Sequence, residues 1–179
     1  MTEITKLYAQ TLYDLAQDEG ISDLVLEQMR ALSEAFRKEP DFLRLLVTPN
    51  LSKQERCAVL DESFCGMIHP YLLNFLKILT REGIARKFSD CCRHMENCYY
   101  TDHHIILVIA YTAQKLTNEQ EQRLTEKLQV ITGKTVILEN RLDPACLGGV
   151  GLYYDGVQVD GTVNNRLNTV GKLLKNTVL

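Results

Sequence analysis

The sequence predicts an α+β chain: an N-terminal bundle of six helices followed by a small C-terminal α/β domain containing a β-hairpin. Three observations carry that expectation. Up to about Tyr100, apolar residues recur three and four positions apart, the spacing of one helix face. Near His103 the pattern changes: Ile105 to Tyr111 is an uninterrupted apolar run rich in β-branched residues, short for a core helix and suited to a buried strand. Asp155-Gly156 then separates two alternating segments, as a two-residue hairpin turn requires. The expected domains are 1–103 and 104–179.

Each element has its own signal. Ile4, Leu7, Tyr8, Leu12 and Leu15 line one face of a first helix, with Gly20 placed to end it as a C-terminal cap. Val25, Met29, Leu32 and Phe36 mark a second helix before Pro40. A short third helix is expected around Phe42 to Val47. Ser52 and Glu55 have capping-box spacing and open a fourth that runs to Gly66. Pro70 suits the first turn of a fifth, carrying Leu72, Leu73, Phe75, Leu76 and Leu79. Ile84, Phe88, Cys91, Met95 and Cys98 define a sixth. After the strand at 105–111, Thr117 and Gln120 cap a helix through Leu124, Leu128 and Ile131 that ends at Gly133. A second strand is expected at Thr135 to Glu139. Val150, Leu152 and Tyr154 form one hairpin arm, Val157 and Val159 the other. A last helix places Val163, Leu167, Val170 and Leu174 on one stripe.

Composition narrows function by exclusion. The 179 residues are 45% apolar and 24% charged, ordinary for a globular chain. Twenty basic against 23 acidic residues leave a net charge of −3, which argues against nucleic acid as a partner, because phosphate contacts need concentrated Lys and Arg. The first ten residues, MTEITKLYAQ, lack an apolar signal core, and no run approaches the roughly 20 residues that span a bilayer. The six cysteines then fit a reducing compartment.

Candidate chemistry is sparse. Gly148-Gly149-Val150-Gly151 suggests a phosphate loop, but the glycines precede an alternating strand where a helix N-terminus is needed, and Tyr154 stands where the third glycine belongs. Close backbone packing is the better account, with nucleotide binding through the 143–162 region kept as the alternative function. Cys91, His94 and Cys98 share a helix, yet residues seven apart are about 10 Å apart along its axis, too far for one metal ion. No metal and no cofactor is expected. Cys91 and Cys92 also admit a redox-scaffold reading, against the simpler one that they pack as small hydrophobes. Asp143, Asp155 and Asp160 are explained by turn and cap chemistry, and no catalytic constellation survives. What remains is surface. Helical bundles commonly bind an amphipathic helix between two of their own. Tyr8, Thr11 and Leu12 on the first helix and Asn74 and Ile78 on the fifth are candidate walls of such a groove; the alternative is that they pack inside or face water.

Asp143-Pro144, Leu147-Gly148-Gly149-Val150, Asp155-Gly156, Val159-Asp160-Gly161-Thr162 and Arg166-Leu167 resemble the signature of the F-type ATP synthase delta subunit, the oligomycin-sensitivity-conferring protein family. Tyr8-Ala9, Leu12 and Leu15-Ala16 are similar to that family's opening helix, and Asn74 to Leu79 with Glu82-Gly83 to its fifth helix and turn. The resemblance implies a non-catalytic stator connector, peripheral on the cytoplasmic face of the cell membrane, touching the membrane only through the complex. It implies that the groove between the first and fifth helices takes the N-terminal helix of an alpha subunit, and that the C-terminal domain meets the b subunits of the peripheral stalk.

Overall fold

The computed structural model describes residues 3–144, 146, 148–154 and 156–161. Among them are seven α-helices and one four-stranded mixed sheet, so the chain is α+β. It divides into two compact units, Met1–Tyr99 and Tyr100–Leu179.

The first unit holds α1 (Glu3–Asp18), α2 (Ser22–Lys38), α3 (Pro40–Leu45), α4 (Lys53–Phe64), α5 (Pro70–Arg81) and most of α6 (Phe88–Asp102). Local chemistry sets the ends. Gly20, at φ +67°, closes α1: its N–H donates to the Gln17 carbonyl at 3.0 Å while the Ile21 N–H donates to that of Ala16 at 2.8 Å. Gly83 closes α5 the same way, with the Ile84 N–H donating to the Leu79 carbonyl at 2.8 Å. At α4 the Glu55 N–H donates to Ser52 Oγ at 3.2 Å and the Ser52 N–H donates to Glu55 Oε2 at 2.7 Å, a complete capping box. Pro70 occupies the first turn of α5, and Nδ1 of the preceding His69 accepts from the Tyr71 N–H.

Val25, Met29, Leu32 and Phe36 of α2 and Leu72, Leu73, Phe75, Leu76 and Leu79 of α5 are all buried, as their spacing requires. Phe36 stacks on Phe42 at 5.6 Å between ring centroids and meets Phe64 and Phe88 edge-on at 6.2 and 5.2 Å.

The first helix corrects the sequence reading. Its packed face is Thr5, Ala9, Leu12, Tyr13 and Ala16, while Ile4, Leu7 and Leu15 point outward. Small residues at 5, 9 and 16 let neighbouring backbones approach closely, and that packing outweighs the bulkier stripe beside it. Smaller shifts follow from turn chemistry. The third helix starts at Pro40; the fourth ends at Phe64, short of Gly66; a 3-10 turn, Ala85–Lys87, precedes α6 and holds Ile84 outside the helix.

The second unit is built on β1 (Ile105–Thr112), α7 (Asn118–Thr132), β2 (Thr135–Leu142), β3 (Val150–Tyr154) and β4 (Val157–Asp160), in the sheet order β2-β1-β3-β4. β1 and β2 are parallel, joined through α7, and pair from Ile105 with Thr135 to Thr112 with Leu142. β3 runs antiparallel to both β1 and β4. Tyr154 pairs with Val157, and Gly156 lies between them at φ +79°. Thr117 and Gln120 form the expected capping box on α7, and Gly133 ends it at φ +66°. Ile106, Val108, Val136 and Leu128 form a core with Leu124, Leu138, Leu152 and Tyr154 packed on it.

Two expectations shift here. Ile131, on the apolar series of α7 that the sequence marks, is 78% exposed: Leu128 is the last residue of that series to be buried. The second strand runs to Leu142, past Glu139, because the polar Asn140 is satisfied in place. Its Nδ2 donates to the Ala110 carbonyl at 3.0 Å and to Thr112 Oγ1 at 2.7 Å, and its Oδ1 accepts from the Leu116 N–H at 3.0 Å. The expected last helix with Val163, Leu167, Val170 and Leu174, and the signature residues Leu147, Asp155, Thr162 and Arg166, lie outside the described residues.

Candidate functional site

α1 and α5 lie in contact and send side chains into the same core. Tyr71 Oη, at the start of α5, donates to Glu19 Oε1 just past the end of α1 at 3.4 Å. The end of α1 therefore meets the beginning of α5, and the two helices run antiparallel. Their outer surface carries apolar side chains that the core does not use: Ile4 is 60% exposed, Leu7 66%, Leu15 40% and Ile78 41%. At about 100° per residue, Ile4, Leu7, Tyr8, Thr11 and Leu15 fall on one stripe of α1, roughly 100° wide. Three large apolar residues exposed on one stripe of α1, with Ile78 exposed on the neighbouring α5, make this a candidate binding surface.

The candidate residues take distinct places around it. Tyr8 is half-buried against the core edge, and Thr11 is exposed with its hydroxyl donating to the Leu7 carbonyl at 2.9 Å. Asn74 and Ile78, one turn apart, are exposed on α5. Leu12 is buried in the core, so it supports the groove from beneath and is not part of its surface. The structure adds Ile4, Leu7 and Leu15, which are exposed on the stripe that carries Tyr8 and Thr11. A signal for this was present: α1 carries a stripe of small residues next to its bulky one, and both cannot face the same core.

Elsewhere, Gly148 and Gly149 meet the start of α7 at a cavity of about 500 Å³ lined also by Thr112, Lys115, Thr117 and Gln120. The glycines lead into β3, Gly149 at φ +84°. Thr117 Oγ1 accepts from the Gln120 N–H at 3.3 Å, and Gln120 Oε1 accepts from the Thr117 N–H at 3.0 Å. These donors, which would have to face a phosphate, are thus already taken. Gly161 shows why a glycine stands there: its N–H donates to the Val150 carbonyl at 3.2 Å, and a Cβ would sit 2.8 Å from that oxygen.

Cys91 and Cys92 are buried in the helical core. Burial first, and the nearby Asp90 carboxylate second, push the Cys91 thiol up to about 11. Burial, followed by Glu96, pushes Cys92 up to about 12. Thiols held protonated are poor nucleophiles, which weighs against a redox role. Among the described residues, no group of three His, Cys, Asp or Glu is placed to hold a metal, and no helix is long and apolar enough to cross a membrane.

The pattern of the ATP synthase delta (OSCP) subunit family matches residues 4–174. The chain belongs to that family. ATP synthase subunit delta of Lactobacillus delbrueckii subsp. bulgaricus is 30% identical over 176 residues, 96% of each chain. That of Clostridium kluyveri is 27% identical over 171 residues, 96% of this chain and 94% of the relative. A chain in the cryo-EM structure of the Toxoplasma gondii mitochondrial ATP synthase hexamer shares the fold, with a TM-score of 0.72 at 16% identity, covering 97% of this chain and 98% of that one. As a delta (OSCP) subunit, the chain is a non-catalytic, peripheral-stalk part of a membrane-associated ATP synthase complex.

Proposed function

We propose that this delta subunit joins the catalytic head of the ATP synthase to its peripheral stalk through two separate surfaces. The six helices of the first unit act as one bundle. The groove between α1 and α5, lined by Tyr8, Thr11, Asn74 and Ile78 and underpinned by Leu12, takes the N-terminal helix of an alpha subunit. The 104–179 domain meets the b subunits. The protein sits on the cytoplasmic face of the membrane and reaches it only through the complex. The observation that carries this reading is the exposed apolar stripe of α1 on a helix in contact with α5, which exposes Ile78.

The mechanism is mechanical. Rotor torque acts on the catalytic head, and a linkage that dissociates slowly keeps the head from turning with it. Slow dissociation comes from apolar anchors that fill a partner's surface and exclude water, more than from rim charges. Ile4, Leu7, Leu15 and Ile78 supply such anchors. Isothermal titration of the full chain with a peptide of the cognate alpha-subunit N-terminus tests the reading. Binding is expected, weakened at least about tenfold by Ile78→Asp with the melting temperature unchanged. Unaltered affinity in that variant removes the groove assignment.

A further inference from the structure

One face of the second unit's sheet is covered by α7 only in part. The strand registers put Val108, Leu138, Leu152, Tyr154, Val157 and Val159 on that face. α7 packs there through Leu124 and Leu128, over β1 and β2. Its cover stops short of β4, where Val157 is 48% and Val159 46% exposed. Gln158, between them, belongs to the other face, on which Glu139 and Arg141 form an ion pair at 2.9 Å. β4 is thus apolar toward the α7 side and polar away from it, the pattern of a strand buried on one side. Among the described residues, α7 is the only helix after β1. The chain itself continues from this spot. Gly161, the last described residue, donates its N–H to the Val150 carbonyl at 3.2 Å, which ties the exit of β4 to β3. β4 runs parallel to β1, both being antiparallel to β3, so Gly161 lies at the end of the sheet where β1 leads to α7. Residues 162–179 follow, and Val163, Leu167, Val170 and Leu174 recur in them three and four apart. At the helical rise of about 1.5 Å per residue, Val163 and Leu174 are about 17 Å apart, the length of the five-residue β3 at about 3.4 Å per residue.

We infer that residues 163–174 of this chain seat their apolar stripe on the β3–β4 half of this face, as a helix beside α7 that closes the core of the second unit over Val157 and Val159. Tethering selects the occupant. Thr162 alone separates the segment from Gly161, so its effective concentration at the face is on the order of millimolar, and a helix from another molecule has to compete with that. Polarity selects the face. On β4, the strand from which the segment departs, this side offers two valines and the other side offers Gln158. The outcome is a two-layer unit with two helices on one side of a four-stranded sheet. The inference concerns the second unit alone and stands independently of the α1–α5 surface.

The experiment uses the full chain with labelled methyl groups. Nuclear Overhauser contacts are expected from the methyls of Val157 or Val159 to those of Leu167 or Val170, unchanged on dilution. Leu167→Asp with Val170→Asp is expected to lower amide-exchange protection in β3 and β4 at least about tenfold, and to leave α2 and α5 within about twofold. Asn165→Asp with Lys172→Asp, on the opposite side of the same helical period, is expected to change β3 and β4 less than about twofold. Should Leu167→Asp with Val170→Asp unfold the sheet unit, Leu167→Ala gives the same ordering at smaller amplitude. Contacts from Leu167 to Leu107 or Tyr153 overturn the choice of face. Equal effects of the two pairs, or protection in β3 and β4 that neither pair moves, overturn the docking. Contacts that form between labelled and unlabelled copies, or only after a b-subunit peptide is added, give the face to another molecule and overturn it as well.

Discussion

The two units solve the same problem with unequal means. The helical unit buries an extended core in which Tyr13, Met29, Leu72, Leu79, Phe88 and Met95 are almost wholly enclosed, with all five phenylalanines linked by ring contacts. Among the described residues, the sheet unit buries a cluster of four side chains around Val108 and Leu128, and leaves Leu107, Ile137 and Tyr153 on the sheet 38 to 42% exposed. A helix has to choose one stripe for the core and can offer the other to a partner. An antiparallel or mixed sheet has two faces, and a helix packed on one of them does not cover the other. The difference teaches that on α1 the exposed apolar residues form a narrow stripe, whereas in the second unit they are spread over the strands and the end of α7.

Four tests sharpen or break that contrast. Phe88→Ala should have the largest effect, about 3–5 kcal/mol, because it removes a fully buried ring that contacts Phe36 and Phe75. Amide exchange protection in α2, α5 and α6 should fall together; loss confined to α6 would show that the helical core is not one cooperative cluster. Leu128→Ala should cost less, about 2–3 kcal/mol, since the site it leaves lies at the margin of a smaller core. An effect equal to that of Phe88→Ala would mean the two cores are alike. Leu7→Ser should stay within about 0.5 kcal/mol in urea unfolding while Leu12→Ser, also on α1, costs several times more. Equal costs would return Leu7 to the core. The smallest effect concerns acid. The Ser52 backbone N–H first, and its hydroxyl second, hold the Glu55 carboxyl below its usual 4.5. Its contribution is complete above the unfolded value and is lost as the pH falls through the lower folded value. Glu55→Gln should flatten the melting-temperature decline below about pH 4.5, and an unchanged acid limb would show that the capping box does not report on the helical unit.

Much of the fold is legible residue by residue. Ser52 with Glu55, Thr117 with Gln120, Pro70, Gly20, Gly83 and Gly133 act through backbone groups a few positions away, so their meaning does not depend on the rest of the chain. The stepped apolar positions of α2 and α5 also read correctly, because each of these helices has a single bulky stripe. The groove was half legible. Asn74 and Ile78 lie on the polar side of a helix whose buried side is unmistakable, and so stand out as surface. Ile4, Leu7 and Leu15 did not, because α1 has two candidate faces and periodicity cannot rank them.

By itself, then, the sequence determined which elements form and in what order, the caps that open or close several of them, the change from helix to sheet near residue 103, and the family, because these depend on short-range chemistry and on a clustered pattern at 143–167. Only the tertiary structure decided which stripe of α1 faces inward, where the buried face of α7 stops and why Asn140 can sit inside a strand. Each of those turns on which neighbour comes close enough to exclude water or complete a hydrogen bond, and that proximity exists only once the chain has folded.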